Sequence, residues 1–334
     1  MKKLLAAITF ALFASSLFVV GGPASAGSSQ TSFDDLLVVT ANLHEAYDKT
    51  DACSRFGDMQ IFVNRVTGNS VIPTFAPDVL LLQEVRGCSL SKIVNLLNAA
   101  LPGENYGLPV SRPERPAFRY GDRRILNYDT GIIINRKTVG RAKNGDNWTP
   151  AGHFRTSYAW ADRATSKRVA VRTQQFVLIQ RRDGNGKLTG AKIPLVSLHL
   201  TRRVDLKPRR RDYYEGLWAR QISNGLNDKF NAFNPDYKVI GGDINRMRCD
   251  VGTSGGGCPW APWYKHLRNE KGYKDALFHC TGCEFPKSYS LGVDYILHTG
   301  ADAKIAGKDI EGRTTTSNTY SDHIFRWAHL TDSS

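Results

Sequence analysis

Val79-Leu80-Leu81-Leu82-Gln83-Glu84-Val85-Arg86 decides how this chain reads. Entered from the turn signal Ala76-Pro77-Asp78, its apolar run is short and bounded, the pattern of a strand buried on both faces. The run then stops on a carboxamide and a carboxylate, where a core residue or a neutral turn would suffice. Working outward, Leu36-Leu37-Val38-Val39 is a second such run and ends on Thr40-Ala41-Asn42. Between them Met59, Phe62, Val63 and Val66 recur at helical spacing, and Ile93, Leu96, Leu97 and Leu101 do so after the second run; both segments read as amphipathic helices.

Further strands are expected at Gly131 to Asn135, Val169 to Gln180, Ile193 to Leu200, Tyr237 to Ile240, Val293 to Leu297 and Ile324 to Leu330. Asp183-Gly184-Asn185-Gly186 marks a hairpin turn, and a long helix fits Pro208 to Phe233 with proline in its first turn. Helices and strands alternate early and the middle is strand-rich, so α/β layers with mixed sheets are expected rather than a doubly wound parallel sheet.

At 334 residues, 41% hydrophobic and 23% charged, the composition excludes a disordered, collagen-like or coiled-coil chain. Forty-five Lys and Arg against 31 Asp and Glu give a net charge of +14, which favours a polyanionic partner, nucleic acid or an anionic membrane surface. Lys2 and Lys3, the apolar run Leu4 to Val20, Gly21-Gly22-Pro23 and Ala24-Ser25-Ala26 read as a secretory signal peptide over residues 1–26. The run is shorter than the ~20 residues of a membrane span. Residues 27–334 are then expected to be a secreted, extracellular protein.

Six cysteines in an exported chain point to disulfides. The local set is expected, Cys53 with Cys88, Cys249 with Cys258 and Cys280 with Cys283. A zinc site at Cys280-Thr281-Gly282-Cys283, completed by Cys249 and Cys258, is the alternative. Gly252-Thr253-Ser254-Gly255-Gly256 matches the serine-hydrolase elbow but lies in a glycine-rich loop without a strand before it.

Polar groups with chemical capacity stand where apolar strands end. Asn42 and Glu84 do so, His199 ends Leu195-Val196-Ser197-Leu198, and Asp243 and Asn245 follow Val239-Ile240-Gly241-Gly242. Asp294 interrupts Val293 to Leu297, and Ser321-Asp322-His323 leads into the last strand. Each alone is explained by a turn cap or a satisfied rim residue. Together they supply hard oxygen donors suited to magnesium or calcium, and two imidazoles for acid and base work. Hydrolysis of a phosphate ester fits that inventory.

In this order the blocks Thr40-Ala41-Asn42, Leu82-Gln83-Glu84-Val85-Arg86, Asp129-Thr130-Gly131, Ser197-Leu198-His199, Gly242-Asp243-Ile244-Asn245, Val293-Asp294-Tyr295-Ile296 and Ser321-Asp322-His323 resemble the endonuclease/exonuclease/phosphatase superfamily. The resemblance implies an α/β fold, a four-layer α/β/β/α sandwich with two mixed β-sheets, as one domain over residues 27–334. It implies metal-dependent phosphoric ester hydrolysis with Mg2+, or Mn2+ or Ca2+ in its place. Glu84 becomes the principal metal ligand, with Asn42 and Asp322 beside it. Asp294 holds His323, His199 serves as leaving-group acid with Asp129 orienting it, and Asp243 and Asn245 position the attacking water. Arg172 contacts the phosphate and Arg86 the nucleic acid groove. The proline usual after the Ser-Asp-His block is absent here, since Ile324-Phe325 follows.

Arg202-Arg203, Lys207, Arg209-Arg210-Arg211 and Tyr213-Tyr214 lie just beyond His199, cations for phosphates beside rings for stacking. A secreted DNA or RNA endonuclease is therefore the first expectation. A phosphatase or sphingomyelinase-like phospholipase acting on an anionic lipid headgroup comes second, and a non-catalytic basic nucleic-acid-binding protein last. No obligate protein partner is evident.

Overall fold

The computed structural model describes residues 35–44, 56–68, 76–85, 87–110, 118–120, 123–125, 129–160, 168–200, 208–245, 261–279, 293–308, 321 and 323–332. The expected signal segment, the Gly252 to Gly256 loop and the basic residues from Arg202 to Lys207 lie outside them. So does at least one member of each expected cysteine pair.

The chain alternates at first: β1 (Leu36–Asn42), α1 (Phe56–Gly68), β2 (Val79–Val85) and α2 (Gly87–Ala100). Strands then dominate. Short β3 (Tyr106–Gly107), β4 (Phe118–Tyr120) and β5 (Arg123–Ile125) precede β6 (Asp129–Asn135), and β7 (Val139–Arg141), β8 (Lys143–Asn144) and β9 (Asn147–Trp148) lead to the long β10 (Ala151–Trp160), β11 (Arg168–Arg182) and β12 (Leu188–His199). After α3 (Pro208–Phe230) come β13 (Lys238–Asp243), α4 (Pro262–Lys265), β14 (Lys274–Asp275), β15 (Asp294–Thr299), β16 (Ala301–Lys308) and β17 (Arg326–Asp332). The expected helix end at Phe233 is a 3-10 turn over Asn231–Phe233, closed by Asn234 in a left-handed conformation.

Two large sheets carry the molecule. One has the order β16-β17-β1-β2-β6-β3, the other β10-β11-β12-β13-β15-β14 with β7 beside β11. Both are mixed: β1 runs parallel to β2 and β12 parallel to β13, while β17, β6, β11 and β15 are antiparallel to their neighbours.

Strand alternation sorts the apolar residues into three cores. Leu36, Val38, Val79 and Leu81 of the first sheet meet Val177, Ile193, Leu195 and Val239 of the second. The opposite faces turn outward: Leu37, Val39, Leu80 and Leu82 pack under Phe62 and Val63 of α1 and Ile93 and Leu97 of α2. Phe176, Val196, Leu198 and Ile240 pack under Trp218, Ile222 and Leu226 of α3 and Trp263 and Tyr264 of α4. The layers are thus α/β/β/α, and central strands covered on both faces read as unbroken apolar runs.

Gly241 and Gly242 set the closeness of this packing. A Cβ on Gly241 would lie 2.4 Å from Leu81 Cδ1 in the facing sheet, and one on Gly242 would lie 1.8 Å from the Leu198 carbonyl oxygen of the neighbouring strand. Only glycine lets β13 reach its end there. No helix among the described residues is long and apolar enough to cross a membrane.

Candidate active site

Both sheets deliver their polar strand ends to one edge. In the first sheet Asn42 ends β1 opposite Gln83, and Asp129 begins β6 opposite Val85. In the second His199 ends β12 opposite Asp243, and Asp243 stands opposite Asp294, the first residue of β15. Asn42 and Asp243, 201 positions apart, become neighbours because the two sheets bring their strand ends to the same edge.

Glu84 is pushed out of the ladder rather than carried in it. The register of β2 against β6 shifts between Gln83 and Val85, and Glu84 has φ of 54°. A non-glycine residue held there costs roughly 1–3 kcal/mol and persists only where surroundings enforce it. Asn245, with φ of 56°, is the second such residue in the cluster.

One carboxylate oxygen is the centre of the cluster. Asp243 Oδ2 accepts from Asn42 Nδ2 at 3.0 Å and from Asn245 Nδ2 at 3.1 Å. His199 Nε2 lies 3.6 Å from it and His323 Nε2 lies 3.9 Å from it, on imidazoles supplied by different sheets. His199 Nε2 is also 3.5 Å from Glu84 Oε1, and Asn42 Nδ2 donates to that same oxygen at 3.2 Å. Asp294 holds His323 through Nδ1, at 2.9 and 3.1 Å, which turns Nε2 toward Asp243. Asp243 Oδ1 accepts from the Asn245 backbone N–H at 2.6 Å.

Burial, followed by the negative charge of Asp294, pushes Asp243 up to about 8, with His323, the Asn245 backbone and Asn42 opposing that rise. Glu84 Oε2 is buried without a hydrogen-bond partner among the described residues. Three carboxylates crowded together with one oxygen unspent is a donor set for a hard divalent cation. Glu84, His199 and Asp243 offer ligand atoms within 4.8 Å of one another, as do Asp243, Asp294 and His323.

No family model and no curated protein matches the chain. Solved structures do. An endonuclease/exonuclease/phosphatase from Bacteroides vulgatus aligns with a TM-score of 0.56 at 15% identity, covering 89% of this chain and 99% of its own. A mannosyl-6-phosphatase from Bacteroides thetaiotaomicron aligns at 0.54 and 15%, covering 89% and 99%, and a functionally unknown conserved protein from Enterococcus faecalis at 0.56 and 14%, covering 89% and 100%. The fold is that of the endonuclease/exonuclease/phosphatase proteins. At such identities the likeness speaks to architecture.

Within the endonuclease/exonuclease/phosphatase fold, the residues expected from sequence fall into two groups. Asn42, Glu84, His199, Asp243, Asn245, Asp294 and His323 converge with the distances given above. Arg86 and Asp322 lie outside the described residues. Asp129 and Arg172 are described only by strand register, Asp129 opposite Val85 and Arg172 opposite Thr156 of β10. Asn42 turns its nitrogen to the carboxylates, because its oxygen accepts from the His44 backbone N–H at 3.0 Å. As arranged it is a donor that ties Glu84 to Asp243.

The fold also gives partners to polar residues to which sequence reading assigned no role. Gln83 Nε2 donates to Ser197 Oγ across the sheets at 3.1 Å, and Ser197 Oγ donates to the Leu82 carbonyl at 2.8 Å. Gln174 and Gln175 are buried in β11. The available signal was a polar side chain inside an apolar strand, which must find a partner when buried.

Proposed function

We propose that this protein is an exported, metal-dependent phosphodiesterase that cuts DNA or RNA, one domain after a signal peptide ending at Ala26. The observation that carries the reading is the pair of imidazoles directed at one Asp243 oxygen, 3.6 and 3.9 Å away, beside the unspent Glu84 Oε2. Two nitrogen bases flanking one point suit a displacement in which a proton leaves the nucleophile and another reaches the leaving oxygen.

Glu84 would hold the divalent ion, Mg2+ or in its place Mn2+ or Ca2+, with Asp322 assigned beside it; bound there, the ion neutralises charge developing on phosphoryl oxygens. The remaining work falls to the chain. Asp294 accepts a hydrogen bond from His323 Nδ1 and stabilises that ring when it becomes charged. Asp243, fixed by Asn42 and Asn245, accepts a hydrogen bond from the incoming water and aims it. His199 donates the proton to the departing ester oxygen, Asp129 orienting it, and Arg172 and Arg86 bind the phosphate chain.

The nucleic acid assignment draws on the charge of +14 and on α3, which follows His199 after a short connection. Tyr213 on its first turns is 68% exposed and packs edge-on against Tyr214 with centroids 5.4 Å apart, a stacking surface for bases. Export draws on the leader-like first 26 residues and on an even set of six cysteines, which suits an oxidising compartment.

Plasmid DNA, RNA, sphingomyelin and a phosphomonoester incubated with the protein and Mg2+, with and without a chelator, test this. Cleaved nucleic acid that the chelator protects is expected. Intact nucleic acid beside hydrolysed lipid or monoester overturns the substrate assignment, and no hydrolysis of any of them overturns the enzyme.

A further inference from the structure

The register of β11 with β12 runs as far as the pair Gln175 and Ser197, two residues short of His199. On its other flank His199 remains in the ladder, opposite Asp243, with the Leu200 N–H donating to the Asp243 carbonyl at 2.8 Å. The open flank is closed by a side chain. The His199 N–H donates to Gln174 Oε1 at 2.8 Å, and Gln174 Nε2 donates to the His199 carbonyl at 3.1 Å.

A carboxamide offers one acceptor and two donors on a planar group, so at a single residue Gln174 substitutes for the ladder bonds that β11 no longer makes with β12. The side chain is fully buried, and so is His199 apart from its rim. Its neighbour Gln175 anchors the same stretch of β11 to the other sheet. The Gln175 N–H donates to Thr130 Oγ1 at 2.7 Å, and the Ile132 N–H donates to Gln175 Oε1. Thr130 follows Asp129, so this dipeptide sets the backbone of His199 against the start of β6.

We propose that Gln174 is a positioning residue: by holding both backbone polar groups of His199 it fixes where the imidazole stands relative to Glu84 and Asp243. This rests on the phosphodiesterase reading of the site. Reacting groups displaced by about 1 Å forfeit on the order of a hundredfold in rate, and only the backbone frame sets the origin of a side chain with two rotatable bonds.

Two variants separate the bonds. Gln174→Met keeps the shape and loses both; Gln174→Glu keeps the acceptor for the His199 N–H and loses the donor to its carbonyl. The expected result with nucleic acid and Mg2+ is a fall in kcat of roughly 10–100-fold for Gln174→Met, as for other residues supporting a functional side chain, a smaller fall for Gln174→Glu, and KM little changed. In a His199→Ala background Gln174→Met should add no further loss, because it acts through the ring that is gone. Independently of substrate, NMR of histidine-labelled protein should give faster exchange of the His199 amide and displaced His199 ring signals in Gln174→Met, with those of His323 in place.

A kcat for folded Gln174→Met indistinguishable from wild type, a full additional loss in the His199→Ala background, or unmoved His199 signals overturns the proposal. Where Gln174→Met does not fold, Gln174→Glu carries the same comparisons. A wild-type protein that cleaves no phosphodiester ends the phosphodiesterase reading instead, and the NMR result alone then decides the role of Gln174.

Discussion

His199 and His323 address the same oxygen of Asp243, from 3.6 and 3.9 Å, although one ends a strand of the second sheet and the other precedes β17 of the first. Asp294 bonds Nδ1 of His323 at 2.9 and 3.1 Å, which leaves that ring's Nε2 facing Asp243. Four consequences of the site and its frame can be measured.

Asp294→Asn removes the acceptor that fixes the His323 tautomer while keeping the shape. We expect kcat on plasmid DNA to fall by about 10²–10⁴-fold, the scale of a misoriented general base. Thermal stability should change little. Steady-state kinetics with a melting curve check both, and kcat within tenfold of wild type would reject the role given to Asp294.

Glu84→Gly exchanges a strained residue for one at ease with φ of 54° and deletes a buried carboxylate beside Asp243. The metal-free protein should gain about 1 kcal/mol, yet Mg2+ should no longer raise its melting temperature and cleavage should cease. Urea unfolding with and without Mg2+ reads this out. A variant still stabilised by Mg2+ as wild type is would move the ion elsewhere.

His298 is 1% exposed on β15, and burial, reinforced by the charge of Lys274, pushes its imidazole down to about 4. In the unfolded chain it titrates near 6.5. Between those values the unfolded state binds the extra proton, so stability is complete above about 6.5 and drains as pH falls toward 4. That contribution is about 3 kcal/mol. Guanidinium unfolding of wild type and His298→Leu across this window should give a flatter profile for the variant; parallel profiles would contradict the prediction.

Gly242→Ala brings a methyl group to 1.8 Å from the Leu198 carbonyl oxygen, a backbone atom that cannot rotate aside. Loss of more than about 4 kcal/mol is expected, seen as insoluble expression or a large drop in the unfolding midpoint. Wild-type stability in this variant would mean that β12 and β13 do not meet as described.

How much of this was legible beforehand follows from burial. β1, β2, β12 and β13 are covered on both faces and announced themselves as apolar runs, and the groups at their ends announced the cluster. β10 and β16 did not, because edge strands such as Ala301–Lys308 carry exposed and small residues and owe their conformation to a single neighbour. Gln174 escaped notice, and the bond between Gln83 and Ser197 could not be read. Their partners sit on other strands, so a lone polar residue in an apolar run gave a need without an address. The direction of the Asn42 amide was not legible in the sequence, because the His44 N–H that claims its oxygen lies two residues along and is invisible to motif matching.

Asn42 Nδ2 spans the gap between Glu84 of one sheet and Asp243 of the other. A half-built molecule therefore owns half a centre: whichever sheet forms first holds either the carboxylate or its counterpart, never both. The centre is complete only once both sheets have come together.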